Sequence, residues 1–190
     1  MFLRRLAAVL GASMVLAGLQ VAGSAPASAA AEVAYFDSAA ATVLYYDASR
    51  AQEFVAVVNQ GAEIWNSKAT TVKLMPVTTG QTPDIRVYAD DGWPRTYSTS
   101  LGNGYWYMGR EAVVDGYYEP RIAAHEFGHI LGLPDNRTGL CADLMSGSSA
   151  PVSCTNANPN STEVAKVDAN FRTSVTIPAR TYVWQGVAAL

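Results

Sequence analysis

The stretch His125-Glu126-Phe127-Gly128-His129-Ile130-Leu131-Gly132-Leu133-Pro134-Asp135 constrains this chain more than any other. Two histidines four positions apart lie one turn apart on the same helical face, so both imidazoles can reach one metal ion. Glu126, between them, is placed to act as a general base on a metal-bound water. Gly132 lets the chain turn sharply out of the helix. Asp135 then has the spacing to come back and offer a carboxylate as a third ligand. Three protein ligands plus a water is the arrangement of a catalytic zinc, not a structural one. The whole chain contains two histidines, and both sit in this stretch. That sets the pattern apart from an ordinary helix carrying incidental histidines.

The N-terminus reads as a secretory signal peptide over residues 1–29. Arg4 and Arg5 form a short basic start, Leu6 to Val21 is almost entirely apolar, and Ala25-Pro26-Ala27-Ser28-Ala29 is a small-residue cleavage region. Residues 30–40 are alanine-rich and read as a short pro-segment or an N-terminal arm. The remainder suits one domain of about 150 residues with a sizeable core. The chain carries 13 Lys and Arg against 16 Asp and Glu, a net charge of −3. Removing a leader with two arginines and no acid takes this to −5. With no basic run, nucleic acid and anionic membrane surfaces are excluded as partners, and no second apolar span is long enough to cross a bilayer. Two cysteines, Cys141 and Cys154, in a secreted chain point to a disulfide. Its short loop would contribute about 3 kcal/mol in the chain-entropy account, and it would pin the segment after the metal motif. A two-cysteine zinc site is the weaker alternative, because the spacing is too long for a CxxC knuckle and no histidine is spare.

Along the chain, Ala41 to Asp47 is rich in β-branched and aromatic residues and reads as a strand. Ser49 can cap an amphipathic helix over Gln52 to Ser67. Thr71 to Thr78, broken by Pro76, reads as a strand at an edge or ending there, and Asp84 to Ala89 as a third strand. The pair Asp90-Asp91 offers carboxylate oxygens to calcium; a solvated turn accounts for it equally simply. Tyr105 to Arg110 reads as a strand and Ala112 to Val114 as another short one. Peptides often bind extended at a sheet edge, so Tyr105 and Tyr107 are candidates for a substrate edge strand; the alternative is that these aromatics fill the core. Glu119-Pro120 opens the metal helix, with proline in the first turn and an acid at the positive end of the dipole. A last helix spans Ser161 to Phe171, with Ser161 and Val164 giving half of a capping box. The segment 173–190 has strand-like pieces at Val175–Ile177 and Tyr182–Trp184.

The motif from His125 to Asp135, followed by Asp143-Leu144-Met145-Ser146, resembles the metzincin metalloproteases. The aspartate ending is similar to the snapalysins, a small secreted bacterial branch, as are Cys141-x-x-x-Met145, Cys154-Thr155-Asn156-x-x-Pro159-Asn160 and the early Ile64-Trp65-Asn66-Ser67. The resemblance implies an α/β fold of metzincin type. That fold is a small twisted mixed sheet with a long N-terminal helix and a zinc-binding helix, then a small C-terminal subdomain with a Met-turn and a short helix. A domain over 41–172 would then be followed by an extension, 173–190, longer than the family's usual end. It implies a secreted zinc endopeptidase, with one catalytic Zn2+ on His125, His129 and Asp135 and Glu126 as base. Met145 would form a hydrophobic floor, and Cys141 would pair with Cys154. It also implies an aromatic preference on the primed side of the cut, protein or peptide substrates, a monomeric enzyme and a proteinaceous inhibitor as a further partner.

Two departures stand out. Where the family has a His-Tyr pair after the aspartate ligand, this chain has Asn136-Arg137. Arg137 is therefore the candidate for an oxyanion or substrate contact. The family's Ca2+-binding Asp and Thr fall at Tyr118 and Pro120, which leaves Asp115 or Glu119 as substitutes. No cysteine precedes the motif, so latency would come from residues 30–40 or from a separate inhibitor. The rival readings are a secreted zinc-containing binding protein without turnover and a metal that only braces the fold. Glu126 argues against both, because neither needs a base there.

Overall fold

The computed structural model describes residues 40–173 and 176–184. The expected signal peptide and nearly all of the 30–40 segment lie outside them, as does part of the strand expected at Val175–Ile177. The chain builds a mixed α/β fold on one six-stranded sheet. The strands are β1 (Thr42–Arg50), β2 (Val72–Pro76), β3 (Ile85–Asp90), β4 (Arg95–Ser100), β5 (Asn103–Gly109) and β6 (Arg180–Val183). The helices are α1 (Val55–Lys68), α2 (Arg110–Val114), α3 (Glu119–Ile130) and α4 (Ser161–Thr173). The strand order is β2-β1-β3-β5-β4-β6. The first four in that order run parallel, while β4 pairs antiparallel with both β5 and β6. Pro76 ends β2 at the outer edge of the sheet, where a residue without an N–H costs no ladder bond. Among the described residues no helix is long and apolar enough to cross a membrane.

Alternation along the strands sorts the side chains into two faces. Leu44, Tyr46, Ile85, Val87, Trp106 and Met108 are buried on one face, beneath α1 and α3. Phe127 of α3 meets Trp106 edge-on at 5.1 Å and Tyr46 at 5.6 Å. Trp65 of α1 is buried, and its Nε1 donates to the Ala124 carbonyl at 2.7 Å. That bond ties the long helix directly to the one carrying the histidines. The opposite face carries Tyr88, Tyr97, Tyr105 and Tyr107, with Tyr97 stacked on Tyr105 at 4.8 Å and Tyr88 on Tyr107 at 5.1 Å.

Five expectations are corrected. Ser49 does not cap α1. It lies within β1, where its N–H donates to Asp47 Oδ1, and the helix begins after a 3-10 turn with no side-chain cap. Ala112 to Val114 is helical, inside α2, although its β-branched residues favour a strand; the chain has already left the sheet at Gly109. Residues 95–100, whose polar composition signals no strand, form β4. The capping box of α4 sits one residue earlier than expected. Asn160 Oδ1 accepts from the N–H groups of Thr162 and Glu163, and Glu163 Oε2 accepts from Asn160 N–H at 2.7 Å. Finally, β5 is not an edge: β4 and then β6 lie outside it, and Tyr105 and Tyr107 point to the face away from α3.

Candidate metal centre

Helix α3 is buried along its whole length from Pro120 to Ile130. Its histidines occupy successive turns, with ring centroids 4.6 Å apart. Gly132, at φ +90°, breaks the helix in a backbone conformation that a side chain would strain. The chain then returns so that Asp135 Oδ1 lies 3.4 Å from His125 Nε2 and 3.6 Å from His129 Nε2. The three ligand atoms lie within 4.8 Å of one another.

The hydrogen bonds around these groups fix which atoms face inward. His125 Nδ1 donates to the Leu144 carbonyl at 3.0 Å, and His129 Nδ1 donates to the Leu133 carbonyl at 2.8 Å. A carbonyl can only accept, so each ring carries its proton on Nδ1 and presents the Nε2 lone pair. Both Nε2 atoms and Asp135 Oδ1 are buried without a hydrogen-bond partner among the described residues. Three orphaned acceptors converging on one point are costly unless a cation satisfies them. The donor set, two imidazoles and a carboxylate, fits zinc. Burial, with His125 alongside, pushes His129 down to about 3 and so keeps its ring neutral. Burial opposes ionisation of Asp135, but the two histidines and Arg137 outweigh it and hold the carboxyl below its ordinary value.

Glu126 points into the same space. Its Oε2 accepts from Thr96 Oγ1 of β4 at 2.6 Å, while its Oε1 is buried without a partner among the described residues. Burial lifts the carboxyl to about 7, against the opposing pull of His125 and the Thr96 bond. Sequence reasoning missed Thr96, because nothing in Arg95-Thr96-Tyr97-Ser98 marks it as facing a buried acid.

Below the helix, Met145 Sδ lies where a side chain on Gly128 would need to be, 2.6 Å from the position a Cβ would take. The turn carrying Met145 is held by Glu163, whose carboxylate accepts from the N–H groups of Leu144 and Met145. Arg121, buried at the start of α3, donates to the carbonyls of Cys141, Asp143, Leu144 and Asn156. It was not anticipated either; a lone arginine in a helix reads as a surface residue. Cys141 and Cys154 are joined in a disulfide with their Cα atoms 5.5 Å apart.

Arg137 stands beside the centre. It pairs with Asp135 Oδ2 at 3.2 Å and donates to Ser148 Oγ and to the carbonyls of Val183 and Trp184. Asp90 and Asp91, the pair considered for calcium, are each engaged by a guanidinium, Arg95 and Arg110 respectively. Their carboxylates serve as ion-pair partners, which corrects that expectation.

The sequence of this chain is 35% identical over 144 residues to the extracellular small neutral protease of Streptomyces lividans, covering 75% of this chain and 58% of that protein. It is 39% identical over 123 residues to the protein of the same description from Streptomyces sp. strain C5, covering 64% and 52%. The counterpart from Streptomyces caespitosus is 37% identical over 122 residues, 64% of this chain and 90% of that protein. The chain thus spans little more than half the length of the first two. A family model described as the Streptomyces extracellular neutral proteinase (M7) family matches residues 40–173. That span opens just ahead of β1 and closes with α4, taking in α3, the disulfide and the Met145 turn; the chain belongs to the Streptomyces extracellular neutral proteinase (M7) family.

Proposed function

We propose that this chain is a secreted zinc metalloendopeptidase of metzincin type, made with a leader over residues 1–29 and cutting protein or peptide substrates. The observation that carries this reading is the convergence of two buried, unpartnered Nε2 atoms and Asp135 Oδ1, with a free oxygen of Glu126 buried beside them. The shared description of the relatives, extracellular small neutral protease, points the same way.

His125, His129 and Asp135 would hold the metal, which supplies Lewis acidity to a scissile carbonyl and lowers the pKa of water towards about 7. The chain's own groups do the rest. The Leu144 and Leu133 carbonyls keep both imidazoles oriented. Glu126 Oε1 accepts the proton of the attacking water and delivers it to the leaving amine. Thr96 holds the other oxygen, so the carboxylate does not swing during transfer. Arg137 steadies Asp135 and directs its remaining N–H groups to peptide carbonyls in the cleft. Met145 packs under α3 and keeps the two histidine-bearing turns at a fixed height. An aromatic side chain is preferred on the primed side of the cut; the fit of Tyr182 and Trp184 against the histidines supports a cleft that accepts rings.

The test is hydrolysis of casein by purified protein, with and without a chelator, alongside Glu126→Ala. Chelation is expected to abolish cleavage and added zinc to restore it, while Glu126→Ala retains the metal without turnover. Cleavage untouched by both treatments would overturn the reading.

A further inference from the structure

Strand β6 lies beyond the residues that the family model matches, and it sits against the metal centre. It runs antiparallel along β4, with Arg95 opposite Val183, Thr96 opposite Tyr182, Tyr97 opposite Thr181 and Ser98 opposite Arg180. Just past it, Trp184 N–H donates to the Pro94 carbonyl at 2.8 Å. Side chains of an added strand alternate between two faces. Here Tyr182 and Trp184 turn inward, while Arg180, Thr181 and Val183 are exposed.

The inward pair covers the two histidines. The Tyr182 ring lies flat on His129, with centroids 3.9 Å apart and planes within 5°. Trp184 meets His125 edge-on at 4.6 Å and is fully buried. The backbone is gripped as well. The Trp184 carbonyl accepts from Arg137 Nη1 and from Ser148 Oγ at 2.6 Å, and the Val183 carbonyl accepts from Arg137 Nη2 at 2.8 Å. His125, Glu126 and His129 have no exposed surface under this cover. A peptidase whose ligands and base are all out of reach of solvent cannot take in a chain.

Extended backbone added to a sheet edge, alternate side chains in pockets and carbonyls held by fixed donors are the marks of peptide recognition by strand addition. We propose that β4, Arg137 and Ser148 form the peptide-binding surface of this protein, and that its resident partner is the chain's own segment Arg180–Trp184. That segment occupies the cleft as a pseudo-substrate and holds the enzyme closed. The inference rests on the peptidase reading above for its consequence, but the binding itself does not. Latency expected from residues 30–40 or a separate inhibitor thus has a source at the other end of the chain. A tethered segment acts at an effective concentration of about 1 mM. A free peptide with a dissociation constant of about 100 μM would therefore keep roughly nine sites in ten closed. Cutting the tether, or displacing the segment from Arg137, opens them.

The experiment uses the full chain with a recognition sequence for a serine protease inserted between Thr173 and Arg180. The protein folds with its tail and is then cut and diluted. Cutting is expected to raise kcat/KM on a fluorogenic peptide about tenfold, and synthetic peptide 176–190 is expected to reverse the gain competitively. In parallel, a fluorescein-labelled peptide 176–190 is titrated against the cut, tail-free Glu126→Gln protein by anisotropy, which needs no turnover. The same peptide with both Tyr182 and Trp184 replaced by alanine is expected to bind at least tenfold more weakly. Unchanged kcat/KM after cutting, or no binding of the labelled peptide, overturns the proposal and leaves the peptidase reading standing. Binding without turnover in either form supports the tail as the cleft's ligand and overturns the peptidase reading.

Discussion

His125, His129 and Asp135 come from eleven consecutive residues, whereas the wall facing them is gathered from Thr96 on β4, Arg137 and Ser148 on loops, and Tyr182 and Trp184 at the end of the chain. The first group is set by one helical turn and one glycine bend, so its geometry follows from local backbone rules. The second depends on which strands are neighbours in the sheet. Local groups can change little without destroying the centre. Gathered ones can be replaced by a different peptide, and that is what a substrate cleft must permit.

Removing the base tests the local half and gives the largest effect. Glu126→Gln is expected to lower kcat/KM of the tail-free protein by about 10²–10⁴-fold, the usual contribution of a positioned general base. Bound metal, measured by elemental analysis, is expected to stay at the wild-type level because Glu126 is not a ligand. Loss of metal together with activity would place Glu126 among the ligands and erase the distinction between the ligand set and the base.

Arg121 joins the two halves. It sits one turn before His125 on α3, yet its guanidinium reaches the Leu144 carbonyl that also orients His125 Nδ1. Arg121→Met leaves buried carbonyls without donors, and the expected destabilisation is about 3 kcal/mol, read from denaturant unfolding of the oxidised protein. Zinc affinity is expected to fall about tenfold through the loosened Leu144 carbonyl. Unchanged zinc affinity in a folded variant would show that α3 alone orients its histidines.

Thr96 isolates one contact of the gathered half. Thr96→Val keeps the shape and removes the hydroxyl that holds Glu126 Oε2. A drop in kcat of about tenfold is expected, equivalent to a hydrogen bond of about 1.4 kcal/mol to a charged group, with KM little changed. If KM alone moved, Thr96 would belong to the substrate edge rather than to the base.

The same contrast explains what the sequence disclosed. The helix at 119–130, the return of Asp135 and the cysteine pair were legible, because each follows from spacing or from a count of two. β4 was not. Its buried positions are Thr96 and Ser98, so the alternation that marks a half-buried strand is written in hydroxyls rather than in apolar side chains. Missing β4 also moved the expected sheet edge inward to Tyr105 and Tyr107. The capping box slipped by one residue because Ser161 is as good a cap by type as Asn160, and only the partner of Glu163 distinguishes them. Arg137 was singled out by a departure from the family pattern, and its contacts with Asp135 and the tail carbonyls place it beside the centre.

A joint remote from both halves supplies the smallest effect and the control for the others. Asp168 of α4 accepts from the N–H groups and hydroxyls of Thr70 and Thr71, just ahead of β2. Partial burial works against its ionised form, but these four bonds outweigh it and hold the carboxyl below its ordinary value. A carboxyl depressed in the folded state stabilises the fold above its unfolded pKa of about 3.9 and loses that contribution as pH falls through the lower folded value. Asp168→Asn is therefore expected to cost about 1 kcal/mol at pH 7, the figure discounted because the bonds lie near solvent. Below that range the variant and the parent should converge in stability. Activity per folded molecule is expected to be unchanged, since α4 reaches the centre through Glu163 at its other end. A fall in kcat with Asp168→Asn would mean that the set of α4 is transmitted to the Met145 turn, making the gathered half of the site larger than the residues that line it.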